Sequence, residues 1–137
     1  ALPQRASANV NCRIFPGETV DGTLTKLQEL AGSKVEVTAN QPVRPVAVPP
    51  PLDPAIMGPV KTLAEKHFPG VPVVPMMSTG ATDGVFFGIL NMPVYGVPGL
   101  FLEPDLNGTH GLNERIRVSS LYAGRDYLFD LAKTLAE

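Results

Sequence analysis

The 137-residue chain has little of several features that mark other classes of protein. Its one cysteine, Cys12, has no partner for an internal disulfide, and its place in an alternating segment indicates a small buried side chain. No apolar stretch approaches the roughly 20 residues that a membrane-spanning helix needs. The formal charge of -2, from 11 basic and 13 acidic residues, leaves no basic face for phosphate backbones or anionic lipid. We therefore expect neither nucleic acid nor a membrane as a partner.

A hydrophobic fraction of 44% is enough for a core in a chain of this length, which is that of one ordinary domain. The chain begins at Ala1 without an initiating methionine and reaches a strand-like pattern almost at once. We expect that an upstream stretch has been removed. An export signal could have been removed with it, so the sequence leaves the location open.

The first third of the chain has the pattern of a strand, a helix and a second strand. Apolar and polar residues alternate over 8–15 and again over 34–38, which is the period of a half-buried strand. Between them, apolar residues recur at the spacing of a helix face, and Gly32 follows as a stop signal. These helix residues are Val20, Leu24, Leu27 and Leu30. Such a unit is about half of a small two-layer domain.

A proline-rich stretch divides the chain. Six prolines lie between Asn40 and Pro54, and they favour the extended geometry of a stiff connection. We place the boundary there, which predicts one domain over residues 1–45 and another over residues 46–137.

The second part predicts alternating helices and short strands. Asp53 and Pro54 have the pattern of a helix cap and first residue, with Pro59 expected to kink the helix or delay its start. Strands are predicted over 71–76 and 92–97, and Asp83 is expected to cap a short helix between them. The last helix is predicted to have Ser119 or Ser120 as its N-cap. Its apolar face is predicted to consist of Leu121, Leu128, Leu131 and Leu135. This order predicts an α/β fold with its functional loops at one edge of a sheet.

Two short motifs and the first strand have counterparts in one family. The loop Ser78-Thr79-Gly80-Ala81-Thr82-Asp83 resembles a Gly-Gly-Thr-Asp loop, with Ala81 in place of one glycine. His110-Gly111 followed by Asn113-Glu114-Arg115 resembles a terminal metal-ligand motif, and Leu2 to Arg13 is similar to a lid-domain strand. In this order along one chain, they resemble the C-terminal part of the aminoacylase and carboxypeptidase family of co-catalytic zinc hydrolases. That family includes glutamate carboxypeptidase, dipeptidases and desuccinylases.

The resemblance implies an architecture of two domains. An α/β catalytic domain is interrupted by a ferredoxin-like α+β lid domain, through which relatives often dimerise. Residues 1–45 would be the second half of the lid, and residues 46–137 would be the C-terminal part of the catalytic domain. A homodimer through the lid is therefore an expectation.

The resemblance also implies hydrolysis of an amide bond next to a free amino-acid carboxylate, in a peptide or an N-acyl amino acid. Two zinc ions share a bridging water in such sites, and a glutamate moves its proton. A catalytic zinc needs about three protein ligands, and in this family the glutamate and most ligands lie upstream. We expect the isolated chain to be inactive unless the missing N-terminal portion supplies them.

Five residues are the candidates for the site. The resemblance assigns His110 as a metal ligand, although by its local sequence alone it would be an exposed loop histidine. The substrate carboxylate would contact Gly80, Ala81 and Thr82. The alternative is that these residues only form a tight turn between a strand and a helix. Arg44 would clamp that carboxylate, with a solvated linker arginine as the alternative.

A second class of function stays open at this point. The chain could be a non-catalytic oligomerisation or amino-acid-binding relative that has kept the pocket and lost the zinc chemistry. A His-x-Asp motif and a Glu-Glu pair in the upstream sequence would favour the enzyme over this non-catalytic relative. The enzyme hypothesis also holds if the chain is one piece of a nicked but still assembled enzyme.

Overall fold

The computed structural model describes residues 2–43, 45–46, 48–102 and 108–137. Within these ranges the regular elements are four helices. They are α1 (Val20–Ala31), α2 (Pro54–His67), α3 (Gly84–Gly88) and α4 (Val118–Ala136). Of these helices, none is long and apolar enough to cross a membrane.

The predicted α/β fold class is wrong, because the described residues contain helices and no strand. All four predicted strand segments, 8–15, 34–38, 71–76 and 92–97, are irregular. A strand requires hydrogen bonds to a neighbouring strand, and alternation of side chains cannot supply them. Val10 and Phe15 illustrate the result, since their side chains are largely exposed.

Helix α1 has the bounds that the sequence predicts, and its caps explain them. The Thr19 hydroxyl accepts a hydrogen bond from the Gly22 N–H at 3.0 Å, and Gly32 ends the helix with a φ of 73°. The Gln28 side chain then donates to the carbonyl oxygens of Gly32 and Val35 and accepts from the Val37 N–H, at 2.8 to 3.0 Å. A side chain therefore bonds backbone groups of the segment predicted as the second strand.

Helix α2 begins where the sequence predicts a cap. The Asp53 carboxylate accepts from the Ala55 N–H at 2.9 Å, and Pro54 is the first helical residue. The helix continues through Pro59 to His67, so the expected delay of its start is wrong. The Asp53 cap fixes the start one turn before Pro59, whose ring leaves the later turns intact.

The chain divides into two compact units, each made of two segments. The first contains Ala1–Pro50 and Met77–Val94, and the second contains Pro51–Met76 and Tyr95–Glu137. In the first unit, which holds α1 and α3, none of the described residues is buried. The domain boundary between residues 45 and 46, and the homodimer, stay predictions.

The core of the second unit lies between α2 and α4. Val60 and Ala64 of α2 are buried against Tyr127 and Leu131 of α4. Partly buried apolar residues surround them, and these are Leu63, Phe68, Val73 and Val97. Burial raises the pKa of the Tyr127 hydroxyl. The apolar contact between α2 and α4 therefore forms the core of this unit.

Helix α4 buries only one leucine of the predicted face, Leu131. Gly124, Tyr127 and Leu131 are buried, whereas Leu121, Leu128 and Leu135 are exposed. The helix begins at Val118, earlier than the predicted serine caps. The position of α2 decides which face is buried, and the leucine spacing alone does not contain that information.

Candidate functional site

His110 lies in a tight turn. The Gly111 N–H donates to the Gly108 carbonyl oxygen at 2.8 Å and closes four residues. His110 is left-handed, with a φ of 63°, and its side chain is exposed. Residues with a Cβ rarely adopt the left-handed backbone conformation, although histidine and asparagine adopt it more often than most residues. The turn thus presents the imidazole to solvent at some cost in backbone strain.

The residues around the turn fold back on one another. Gly108 and Asn113 are also left-handed, with φ values of 61° and 64°. A Cβ on Gly108 would lie 3.1 Å from the Asn113 carbonyl oxygen, to which the Arg115 guanidinium donates at 3.0 Å. Internal contacts therefore define the shape of the loop that carries His110.

The described residues do not fit a complete metal centre. In the part of the chain that the structure describes, no three histidine, cysteine, aspartate or glutamate side chains are grouped to hold a metal ion. Catalytic zinc needs about three protein ligands. His110 is exposed and has the chemistry of one such ligand, so a metal here needs further ligands from outside the described residues.

The small-residue loop lies in the first unit, directly before α3. The Ser78 hydroxyl accepts from the Gly80 N–H at 3.2 Å, and the Thr82 hydroxyl accepts from the Gly84 N–H at 3.2 Å. Gly80, Ala81 and Thr82 are exposed. Asp83 is the N-cap residue of α3, as the sequence predicts, but its side chain makes no capping hydrogen bond. The first helical N–H, of Gly84, donates instead to the Thr82 hydroxyl.

The candidate residues fall in different parts of the structure. His110 belongs to the second unit, and Gly80, Ala81 and Thr82 belong to the first. Arg44 lies outside the described residues. The assignments of all five residues to a site stay predictions.

A further cluster joins α2 to α4. The Asp130 carboxylate oxygen Oδ2 lies 2.7 Å from the Lys66 ammonium and 2.8 Å from His67 Nε2. The His67 ring is half-buried, edge-on to Tyr127 at 5.9 Å between centroids. The hydrogen bond from Lys66, and then that from His67, holds the pKa of Asp130 below its usual value. His67 therefore takes part in the contact between α2 and α4.

Sequence reasoning missed Asp130 and Lys66. More than 60 residues separate Asp130 from its two partners, and no motif links them. The sequence contains one local indication of a charged cluster, which is the pair of basic residues Lys66 and His67 in the last turn of α2. Basic residues at this place commonly interact with the C-terminal end of their own helix, so the pair does not point to Asp130.

Comparisons with known proteins agree over most of the chain. The model of Peptidase family M20/M25/M40 matches residues 2–134. The N-fatty-acyl-amino acid synthase/hydrolase PM20D1 of Homo sapiens is 31% identical over 134 residues, which cover 95% of this chain and 27% of that protein. The Mus musculus protein of the same name is 30% identical over 135 residues, covering 94% of this chain and 26% of that protein.

A third relative, the protein of this name from Xenopus tropicalis, is 31% identical over 117 residues, which cover 84% of this chain and 23% of that protein. The chain thus spans about a quarter of the length of these relatives. No solved structure matches it.

Proposed function

Because this chain belongs to Peptidase family M20/M25/M40, we propose that it is a segment of a zinc-dependent amidohydrolase that cleaves N-acyl amino acids. Members of the family are hydrolases and are generally metal-dependent. The observation that carries the proposal is an alignment that covers 95% of the chain at 31% identity. The aligned protein is named for N-fatty-acyl amino acids. The bond cleaved would be the amide next to the free carboxylate of the amino acid.

In this proposal His110 donates one ring nitrogen to a zinc ion. Its exposed imidazole and its left-handed turn support the role, since backbone strain concentrates at functional positions. The chemistry that a pair of zinc ions supplies is a bound water of lowered pKa and a polarised carbonyl. The other ligands and the general base would come from polypeptide beyond this chain, so we propose that the chain alone is inactive.

The substrate carboxylate would contact the loop of Gly80, Ala81 and Thr82. Their small, exposed side chains let another molecule approach the backbone closely. Arg44 is the proposed cationic partner of the same carboxylate, because a guanidinium can bond both carboxylate oxygens.

The test compares the two histidines of the chain in the complete enzyme. His110→Gly removes the imidazole, and glycine adopts a φ of 63° without strain. His67→Gln is the matched control, because its amide can still bond to Asp130. We expect His110→Gly to lose zinc, measured by elemental analysis, and at least 100-fold in amide hydrolysis, on the order of the loss for a metal-site residue. His67→Gln should keep its zinc.

Two results would contradict the proposal. Full zinc content and activity in His110→Gly would remove His110 from the metal site. Wild-type protein that binds N-acyl amino acids, holds no zinc and hydrolyses none of them would instead indicate the non-catalytic binding relative.

A further inference from the structure

The loop that carries His110 is attached to α4 at both of its ends. Its first end, residues 99–101, lies against α4 and against the residue that follows α2. Its second end leads directly into α4 at Val118. The first end meets α4 at Gly124, and Val118 and Gly124 are about 9 Å apart along a helix. One helix therefore holds the two ends of the loop close together.

Two glycines let the first end approach α4 closely. A Cβ added to Gly99 would lie 2.6 Å from the Tyr127 ring carbon Cδ1 and 3.2 Å from the Leu128 carbon Cγ. Gly99 is also left-handed, with a φ of 62°, which favours glycine. On the helix side, a Cβ added to Gly124 would lie 2.8 Å from the Gly99 carbonyl oxygen. A side chain at either position would therefore push the start of the loop away from α4.

An aromatic contact holds the same end of the loop. The Phe101 ring packs edge-on against the Phe68 ring, with 4.6 Å between their centroids. The Phe68 ring lies 5.5 Å from the ring of Tyr127, which is buried in the core between α2 and α4. Aromatic pairs of this kind contribute more than the area that they bury. Residues 99–101 are thus attached to the core of the second unit.

Contacts inside the loop hold the turn at His110. The Gly111 N–H donates to the Gly108 carbonyl oxygen at 2.8 Å, and the Arg115 guanidinium donates to the Asn113 carbonyl oxygen at 3.0 Å. A ligand in a functional site must be held within about 0.5 Å of its productive position. A turn with internal hydrogen bonds meets this requirement only when the ends of its loop are fixed as well.

Resting on the proposed function, we infer that the contact of residues 99–101 with α4 and Phe68 positions His110 for zinc. Gly99, Phe101 and Gly124 are then positioning residues, because they act on the metal only through the loop and its imidazole. Loss of a residue that orients a metal ligand typically lowers metal affinity by about 10- to 100-fold.

The first test observes the loop without metal. Hydrogen–deuterium exchange is measured by mass spectrometry in the metal-free complete enzyme, on peptides that cover residues 108–115. Phe101→Ala removes the aromatic contact, and we expect exchange in these peptides to become about two- to ten-fold faster. Phe129→Ala is the matched control, because Phe129 is an exposed phenylalanine of α4. It should leave this exchange unchanged.

A second control separates the loop from general stability. Leu131→Ala weakens the core between α2 and α4, to which Leu131 belongs. Exposed loops exchange through local opening, so a loss of global stability does not by itself accelerate them. We therefore expect wild-type exchange over residues 108–115 in Leu131→Ala and faster exchange in Gly124→Ala.

The second test measures zinc affinity in the complete enzyme by competition with a chelator. We expect Phe101→Ala and Gly124→Ala each to weaken zinc binding at least ten-fold. Phe101→Tyr keeps the ring and should keep the wild-type affinity. Phe129→Ala and Leu131→Ala should keep it too, so a ten-fold loss in Leu131→Ala would assign the effect to stability and overturn the inference.

The two tests distinguish this inference from the proposed function. Unchanged exchange in both Phe101→Ala and Gly124→Ala overturns the inference and leaves the proposed function standing. Faster exchange with unchanged zinc affinity also overturns it, provided that His110→Gly loses zinc. If His110→Gly keeps its zinc, the role of His110 in the proposed function is wrong, and the exchange test alone decides whether residues 99–101 fix the loop.

Discussion

Gly124 is the position in α4 where one added carbon should cost the most. A Cβ at Gly124 would lie 2.8 Å from the Gly99 carbonyl oxygen and closer still to the Leu100 side-chain carbon Cδ2. The Leu100 side chain can move, but the carbonyl belongs to the backbone. Gly124→Ala therefore requires the segment at Gly99 to shift away from α4.

Two opposing effects determine the size of the change. Alanine stabilises a helix interior by about 1 kcal/mol relative to glycine. Overpacking of a close contact costs about 1 to 3 kcal/mol, and the backbone contact favours the upper end. We expect Gly124→Ala to lower the free energy of unfolding by about 1 to 2 kcal/mol.

The assay is urea unfolding, followed by circular dichroism. Ala132→Gly calibrates the propensity effect, because Ala132 is an exposed residue of the same helix. It should lower the free energy of unfolding by about 1 kcal/mol through propensity alone. If Gly124→Ala is as stable as the wild type or more so, the close packing of Gly99 against α4 is refuted.

Two further predictions concern the contact between α2 and α4. Hydrogen bonds from Lys66 and His67 lower the pKa of Asp130, so the stability from its carboxylate is present above the unfolded pKa of about 3.9 and is lost as the pH falls through the lowered value. The melting temperature should fall from pH 5 towards pH 2, and an equally steep fall in Asp130→Asn would contradict this. Leu131→Ala should cost about 2 to 5 kcal/mol in urea unfolding, because Leu131 is 6% exposed. Leu128→Ala should cost clearly less at 36% exposure, and equal losses would place the core elsewhere.

The helices of the chain were largely predictable, because their signals are local. A helix forms its hydrogen bonds within one segment, and caps such as Asp53 with Pro54, or Gly32, mark its ends in the sequence. The family was predictable too, since the motifs at Gly80 to Asp83 and at His110 recur in order. The match over residues 2–134 confirms that resemblance.

The same local reasoning failed for strands. Residues 8–15 alternate as a strand would, but alternation describes only which side chains share a face. Pairing depends on a partner that is distant in sequence, and the described residues form no strand pair. The candidate site has a similar limit, because a metal centre needs several ligands together and the described residues contain no group of three that could hold a metal ion.

The sequence alone thus determined the approximate positions of the helices, the helix ends at Asp53 and Gly32, and the family of the chain, since each is encoded in neighbouring residues or in ordered motifs. Only the tertiary structure decided that α4 buries Tyr127 and Gly124 beside Leu131 and leaves its other predicted leucines exposed, and that Asp130 joins Lys66 and His67. These features depend on which helix packs against which. That choice is made by contacts between residues more than 60 positions apart, which no local pattern contains.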